Sequence, residues 1–146
     1  MTFALSNDHL LLTHAGCTLF MTGLIWVIQV VHYPLFAYVG ADDYERYHQL
    51  HMQRITWIVM PVMLAELLCA VVLAMSPLAQ GQYLSWVALG LLLLIWLSTA
   101  LFQVPAHAEL ASGWNDSVHA RLVHSNWIRT LLWSARSFIA LWLLRL

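Results

Sequence analysis

Four apolar runs of about 20 residues each constrain the fold of this chain more than any other feature. They extend from about Leu10 to Val31, Ile55 to Met75, Leu84 to Val104 and Trp127 to Leu146. A helix of this length crosses a hydrocarbon core about 30 Å thick. Inside lipid every backbone polar group must be paired within the structure, which such runs achieve as helices. The sequence therefore predicts a single domain, residues 1–146, with an all-α fold: an integral membrane four-helix bundle.

The composition also favours a membrane protein. Hydrophobic residues make up 62% of the chain and charged residues 9%, and the mean hydropathy is +0.74. This balance is too apolar for an ordinary soluble domain, so we expect the chain to lie in a lipid bilayer. The net charge of −1, without a basic patch, argues against nucleic-acid binding.

The connections between the runs differ at the two membrane faces. Four crossings bring both termini to one face, side A, where a short uncharged turn from Ser76 to Tyr83 joins helices 2 and 3. The opposite face, side B, receives two longer connections that hold most of the charged residues. In the second of these, Asp116 or Ser117 is the predicted N-cap of the fourth helix.

The first side-B connection is predicted to contain a short amphipathic helix between helices 1 and 2. Asp42 and Asp43 are suited to cap it. Its polar face carries four side chains at spacings of three and four, namely Tyr44, Tyr47, His48 and His51.

The distribution of arginine sets the expected orientation. Arg46, Arg54 and Arg121 belong to side B, whereas Arg145 belongs to side A. The excess of positive charge on side B favours a cytoplasmic location for that face. With no organelle address in the chain, a bacterial inner membrane is the expected location.

Helical spacing predicts which polar side chains face the bundle interior. In the first helix the stripe is His14, Thr18, Thr22, Gln29 and His32. In the second it is His48, His51, Ile55, Ile58, Val62 and Glu66, with Pro61 as an interruption. The third contributes Thr99, Gln103 and His107, and the fourth Asn126, Arg129, Trp133 and Arg136.

Two of these inward charges are expected to meet. Glu66 and Arg136 each follow the entry of their helix from side B by about ten residues, which is half of a membrane crossing. An unpaired charge at that depth costs at least ~2.5 kcal/mol on insertion scales, so such residues usually pair. We therefore predict a buried Glu66–Arg136 ion pair, which either sets helix register or forms the floor of a polar site.

The histidines suggest a metal centre. The chain has eight histidines and no lysine, and the helix ends at side B deliver five candidate ligands: His32, His48, His51, His107 and His124. Imidazole nitrogens suit iron, copper, zinc or nickel, and Glu66 or Glu109 is available to complete the shell. Gln29, Gln103 and Asn126, with Tyr33, Tyr44 and Tyr47, are candidate partners that would orient the imidazoles around the cofactor. His9, His14 and His119 are predicted to be non-ligands.

Haem is the competing cofactor for histidines in a membrane bundle. His32 and His107 provide one facing pair for bis-imidazole ligation. A second haem near side A would find only His14, so a transition-metal ion is the favoured cofactor and haem the less favoured one.

The last helix carries a family resemblance. The segment LVHSNWIRTLLWSARS, particularly Asn126, Trp127, Arg129 and Thr130, resembles the last-helix pattern of small bacterial four-helix membrane proteins grouped near the anthrone-oxygenase-like proteins. The similarity covers the final 25 residues of the chain. It implies oxygenase activity and transfers no site residue.

Together these features predict a membrane-embedded, metal-dependent oxidoreductase or oxygenase that acts on a lipophilic small molecule. Arg129 and Arg136 would hold an anionic group or oxyanion. One alternative is a zinc-dependent hydrolase with Glu66 or Glu109 as general base. Another is a non-catalytic small subunit, haem protein, or metal or proton carrier. The sequence is also compatible with a homo-oligomer or with a subunit of a larger membrane complex.

Overall fold

The computed structural model describes residues 7–76 and 81–146, and the regular structure in these ranges is entirely helical. Four helices follow one another. We call them α1, which begins with Asn7–Val27; α2, Ala41–Met75; α3, which begins with Gln82–Ser98; and α4, Asp116–Leu143. The predicted side-A turn falls largely on residues 77–80, which lie outside the described residues.

Near side B, both α1 and α3 contain a wider, π-helical turn. After Val27, α1 continues through a π-helical turn (Ile28–His32), an α-helical turn (Tyr33–Leu35) and a 3-10 turn (Phe36–Tyr38). After Ser98, α3 continues through a π-helical turn (Thr99–Gln103) and an α-helix (Val104–Leu110). Each π turn comes just before a proline, Pro34 or Pro105. Because proline lacks an N–H and its ring crowds the carbonyl four residues earlier, the wider turn relieves a clash in a continuous helix.

Helix α2 corrects the prediction of a separate amphipathic helix between helices 1 and 2. Ala41–Met75 is one continuous 35-residue helix, and the predicted amphipathic segment is its first part. No glycine or proline separates His51 from Ile55, so nothing ends the helix there. Gly40 occupies the N-cap, while Asp42 and Asp43 lie in the first turn, where carboxylates interact favourably with the helix dipole. Pro61 is exposed and leaves the helix unbroken.

Helix α4 begins one residue after the N-cap Asn115, rather than after Asp116 or Ser117 as predicted. The Asn115 side chain accepts hydrogen bonds from the backbone N–H groups of Ser117 and Val118, at 3.0 and 3.2 Å. This satisfies two of the donors that the first turn leaves unpaired.

The helices form a four-helix arrangement in which sequence neighbours are spatial neighbours. Helix α1 packs against α2 and α4, and α3 packs against the same two helices. Three helical stretches are long and apolar enough to cross a membrane, namely Asp8–Tyr38, Ala41–Met75 and Gln82–Leu110. Helix α4 is long enough, but its inward polar residues lower its mean hydropathy.

The burial pattern confirms most of the predicted interior stripes. All four residues predicted for α4 are buried, as are His14, Thr18 and Gln29 on α1. On α2 the prediction for Ile58 is wrong: this side chain is 48% exposed, and Met63 is buried instead. Apolar side chains on the outer faces of all four helices remain exposed, for example Leu68, Leu97 and Phe138.

Candidate functional site

Four histidines from three helices lie together near side B. We call His32 on α1, His48 and His51 on α2, and His107 on α3 the histidine quartet. Their ring centroids are separated by 4.5 Å for His32–His51, 5.2 Å for His48–His107, 5.9 Å for His51–His107 and 6.1 Å for His48–His51. His48 and His107 are buried, while His32 and His51 are half-buried. The π turn of α1 and the early part of α2 therefore meet the end of α3 at one point.

Within the quartet the imidazoles are paired by direct nitrogen contacts. His32 Nε2 lies 2.8 Å from His51 Nδ1, and His48 Nε2 lies 3.3 Å from His107 Nδ1. In each pair one nitrogen must donate and the other accept, because a neutral imidazole has one N–H and one lone pair. Phe36 is fully buried between the pairs, with its ring centroid 5.1 to 5.5 Å from those of His32, His48 and His51.

Two tyrosines extend the His48–His107 pair into a chain of four groups. Tyr44 Oη lies 3.3 Å from His48 Nδ1, and Tyr33 Oη lies 2.9 Å from His107 Nε2. His48 Nε2 is also 3.3 Å from the carbonyl oxygen of His107, which can only accept, so we assign the proton to His48 Nε2. Tyr44 then donates to His48, His48 to His107, and His107 to the Tyr33 oxygen. The hydroxyl hydrogen of Tyr33 is left free to donate to another group.

The remaining histidines do not join the quartet. His124, a predicted ligand, is exposed on α4. It lies two residues from buried Leu122 and from buried Asn126, which places it on the opposite face of the helix. His119 is half-buried instead, and its Nε2 donates to the carbonyl oxygen of Tyr33 at 2.8 Å. His9 is exposed.

The three predicted partner amides hydrogen-bond with groups other than the histidines in the described part of the chain. Asn126 Nδ2 donates to Gln29 Oε1 at 2.9 Å, Gln29 Nε2 donates to the Val123 carbonyl at 3.2 Å, and Gln103 Nε2 donates to Ser125 Oγ at 2.9 Å. These bonds tie α1 and α3 to α4. The amides therefore brace the helices beneath the quartet, and Tyr33 and Tyr44 are the predicted partners that do contact imidazoles.

A cavity of about 270 Å³ adjoins the quartet between α2 and α3. Its walls are mainly apolar and include Met52, Ile55, Met60, Met63 and Trp96. The polar side chains that line it are Tyr33, Thr56, Thr99, Gln103, His107 and Arg129. A mainly apolar cavity with a few convergent polar groups is the usual form of a small-molecule site.

Among the described residues, three of the six buried side-chain polar atoms without a hydrogen-bond partner belong to residues that line this cavity. In the described ranges, no hydrogen-bond partner is found for Trp96 Nε1, Gln103 Oε1 or Arg129 Nε, and all three residues line the cavity. Buried polar atoms are normally hydrogen-bonded, and each exception needs an explanation. A bound ligand is the simplest explanation for three exceptions around one cavity.

The predicted Glu66–Arg136 ion pair is confirmed. Arg136 Nη2 lies 2.9 Å from Glu66 Oε1, and both side chains are fully buried. Thr18 Oγ1 donates to Glu66 Oε1 at 2.8 Å, and Trp133 Nε1 donates to Glu66 Oε2 at 3.1 Å. Arg136 also donates to the Ala88 carbonyl. We call Thr18, Glu66, Trp133 and Arg136, with His14, the ion-pair layer.

His14 completes the ion-pair layer. Its Nε2 lies 3.3 Å from Arg136 Nη2, and it can only accept from a guanidinium. Its Nδ1 then carries the proton and has no partner among the described residues. This is the one unpaired polar atom in a layer whose other polar groups are satisfied, and the layer joins all four helices.

The ion-pair layer is far from the quartet. Glu66 follows His51 by 15 residues on one helix, a rise of about 22 Å at ~1.5 Å per residue. Glu66 and Arg136 therefore cannot act on a group held by the quartet. Glu109, the other predicted carboxylate, forms an exposed ion pair with Arg121 at 2.6 Å. Neither carboxylate is placed to complete a metal shell or to act as a general base there.

In its hydrogen-bonded form the quartet is not a preformed metal site. Within residues 7–76 and 81–146, no group of three or more His, Cys, Asp or Glu side chains has an arrangement that could hold a metal ion. Two nitrogens on a tetrahedral ion at about 2.0–2.1 Å lie about 3.3 Å apart. The His48–His107 pair already has this separation, whereas the His32–His51 pair would have to turn toward the ion.

Comparisons of the chain with protein-family models, with curated proteins and with solved structures find no match. The resemblance of the last helix to anthrone-oxygenase-like proteins therefore stays a prediction. Arg129, which belongs to that resemblance, is the one predicted catalytic residue that lies at the cavity.

Several residues of the site were missed in the sequence. Phe36 lies in the first side-B connection and Trp96 is an ordinary apolar position of the third run, and no pattern marks either residue. His119 did carry a signal, because it precedes Leu122 by three residues and Asn126 by seven and so shares their buried face.

Proposed function

We propose that this chain is a membrane-embedded, metal-dependent oxidoreductase that acts on a lipophilic small molecule in the cavity beside the histidine quartet. His48 and His107 would be the first two ligands of the metal ion, and His51 or His32 would be the third. Iron or copper bound there would supply the one-electron chemistry for oxidation by molecular oxygen.

The arrangement of the His48–His107 pair is the observation that carries this proposal. The two nitrogens that face each other at 3.3 Å are available to share an ion in place of a proton. The other nitrogen of each ring is held by a tyrosine, Tyr44 for His48 and Tyr33 for His107. Metal-ligating histidines almost always donate a hydrogen bond from their second nitrogen. Tyr33 already accepts such a bond from His107. When an ion replaces the proton on His48 Nε2, the proton would move to Nδ1 and Tyr44 would become its acceptor.

The position of the cavity supports a lipophilic substrate. Its apolar walls come from α2 and α3, both of which are long and apolar enough to cross a membrane. His107 belongs to the quartet and to the cavity lining, so a molecule in the cavity would touch a ligand of the proposed metal. The lipid bilayer is then the source of the substrate. A haem is less well supported, because a porphyrin would have to separate imidazoles that are in direct contact.

The cellular setting belongs to the same proposal. We place α4 across the bilayer with the other three helices, because its ion pair is buried against them and its outer face is apolar. A bacterial inner membrane with the quartet near the cytoplasmic face agrees with the arginine distribution. The last-helix resemblance to anthrone-oxygenase-like proteins agrees with an oxidation.

The first test is the metal content of detergent-purified protein, measured by elemental analysis together with an optical spectrum. We expect stoichiometric iron or copper in the wild type and its loss in His48→Ala and His107→Ala. His124→Ala is the matched control, because this histidine is exposed on the other face of α4, and it should retain the metal.

Two results would contradict the proposal. Wild-type protein without stoichiometric metal, after reconstitution with Fe²⁺ and with Cu⁺ in separate samples, would remove the metal centre. Metal retained in both His48→Ala and His107→Ala would place it elsewhere. Stoichiometric zinc without iron or copper would support a hydrolase instead, although Glu66 and Glu109 are not placed to act as its base.

A second candidate function is a metal-free proton carrier. The chain from Tyr44 through His48 and His107 to Tyr33 is an unbroken path in which every imidazole nitrogen has a partner. A proton could pass along it if all the tautomers reverse together. Proton flux is measured into liposomes that hold the metal-free protein. Flux that is abolished in His48→Ala and unchanged in His124→Ala would favour proton transport over the oxidoreductase.

A further inference from the structure

The polar end of the cavity carries an uncompensated positive charge. Arg129 is 6% exposed and lines the cavity, and its guanidinium carbon lies 5.4 Å from the centroid of the Trp133 ring. The ion pairs within residues 7–76 and 81–146 are Arg121–Glu109 and Arg136–Glu66, so no carboxylate of this part of the chain neutralises Arg129. A buried charge without a partner is costly, and in a membrane protein such residues usually pair or mark a ligand pathway.

The other arginine at membrane depth shows what a compensated charge looks like in this fold. Arg136 has Glu66, the Ala88 carbonyl, Thr18 and His14 around its guanidinium. Arg129 instead has an aromatic face on one side and the Tyr33 hydroxyl beside it, and its Nε has no partner. Helical spacing places both arginines on the same inward face of α4, but of the two only Arg129 lines the cavity.

The neighbouring groups at the cavity are mostly donors as well. The tautomers assigned to the chain of hydrogen bonds leave the Tyr33 hydroxyl hydrogen free, and Tyr33 lines the cavity. The indole N–H of Trp96 is also unpaired at the cavity wall. Three donors, one of them charged, therefore surround the same space, with the unpaired acceptor Gln103 Oε1 as the exception.

We infer that the cavity binds a small lipophilic anion whose single negatively charged head, a carboxylate or phenolate, pairs with Arg129 and accepts from Tyr33. The hydrophobic part of the molecule lies against the methionine and isoleucine side chains of α2. This inference names the substrate class of the proposed enzyme, and it rests on the proposed function in taking this cavity as the substrate site.

The pairing also gives the ligand a fixed orientation. Arg129 and Tyr33 draw the head of the molecule to the polar end of the cavity, where His107 lies. The atoms next to the charged group are therefore the ones brought nearest to the quartet. A neutral molecule of the same shape would lack this anchor.

The test uses 2-naphthoate as the probe, with 2-naphthamide as its uncharged analogue and 2-naphthylmethylammonium as its cationic analogue. Binding is measured by isothermal titration on EDTA-treated full-length protein in detergent, so that a metal ion cannot bind the carboxylate. We expect 2-naphthoate to bind wild type about tenfold or more tightly than either analogue.

Substitutions at Arg129 test whether this residue causes the preference for the anionic probe. Arg129→Gln should weaken 2-naphthoate binding about tenfold or more while leaving 2-naphthamide binding unchanged, and Arg129→Lys should keep part of the preference. Arg121→Gln, which removes an exposed arginine, should bind as wild type does. Unchanged binding of 2-naphthamide shows that a variant has kept its fold.

Equal binding of the three probes to wild type would overturn the inference, even if no Arg129 variant folds. An unchanged preference for 2-naphthoate in Arg129→Gln would overturn it too. The metal content of the same preparations before EDTA treatment reports separately on the proposed function. Anion binding that depends on Arg129 in a protein that never holds metal would leave the anion site standing and remove the oxidoreductase.

Discussion

The ion-pair layer and the cavity beside the histidine quartet both hold buried polar groups inside the same bundle, but they differ in how many of those groups lack a partner. In the ion-pair layer, Glu66 receives bonds from Arg136, Thr18 and Trp133, and the one buried polar atom without a partner among the described residues is His14 Nδ1. Beside the quartet, three cavity-lining residues keep a buried polar atom without a partner. The more completely satisfied region holds the helices together, and the less satisfied region is the one where we propose that a ligand binds.

This difference shows why charge and burial alone do not identify a functional site. Both regions contain a buried arginine, and both contain histidine. A buried ion pair whose hydrogen bonds are all made contributes mainly to helix register. Removing one partner leaves the other charge buried without a counter-ion. The site is recognised instead by polar groups that point into a space and lack a partner.

The largest effect on stability should come from breaking the ion-pair layer. Glu66→Gln leaves Arg136 buried without its counter-ion, and we expect a loss of about 3–5 kcal/mol in the free energy of unfolding. Thermal unfolding in detergent, followed by tryptophan fluorescence, measures it. Glu109→Gln is the control, since its ion pair with Arg121 is half-exposed, and exposed pairs contribute about 0–1 kcal/mol. Equal losses in the two variants would show that the layer is not structural.

An intermediate effect is expected from the hydroxyl that supports Glu66. Thr18→Val keeps the side-chain shape but removes the bond to the carboxylate, which should lower the free energy of unfolding by about 1.5–3 kcal/mol. Thr13→Val is a matched control, because the one side-chain hydrogen bond of Thr13 within the described residues goes to the His9 carbonyl in its own helix. A Thr18 variant as stable as the control would mean that Glu66 does not depend on this bond.

The smallest effect on stability, but a large effect on binding, is expected beside the quartet. Tyr33→Phe removes the group that fixes His107, and we expect metal affinity to fall about 10–100-fold. The loss in the free energy of unfolding should be about 0.5–1.5 kcal/mol, as for a single neutral hydrogen bond. Competition with a chelator measures the affinity. Tyr47→Phe serves as the control, because Tyr47 packs against Phe36 and has no hydrogen bond to the quartet in the described ranges.

Most of the fold could be predicted from helical periodicity. Steps of three and four residues correctly placed His14, Thr18 and Gln29 on one buried face of α1, and depth counting paired Glu66 with Arg136. Both inferences depend on regular geometry that a sequence determines locally. Periodicity also argues against His124 as a ligand, because His124 lies on the face of α4 opposite to Leu122 and Asn126.

The rest of the site depends on packing between helices. The cavity exists because α2 and α3 leave space between Met60 and Trp96, and no single-helix pattern reports such a space. The tautomers of His48 and His107 follow from one backbone carbonyl that α3 brings within reach of α2. The π turns before Pro34 and Pro105 change the phase of each helix just where the site is formed.

We propose that the quartet holds a metal ion beside the cavity, and X-ray absorption spectroscopy of the metal-loaded, detergent-purified protein identifies the ligands of that ion. We expect at least three imidazole nitrogens at about 2.0–2.1 Å from the ion, reduced in number in His107→Ala and unchanged in His124→Ala. A first shell of oxygen or sulfur without imidazole, or the same imidazole shell in His107→Ala, would contradict it.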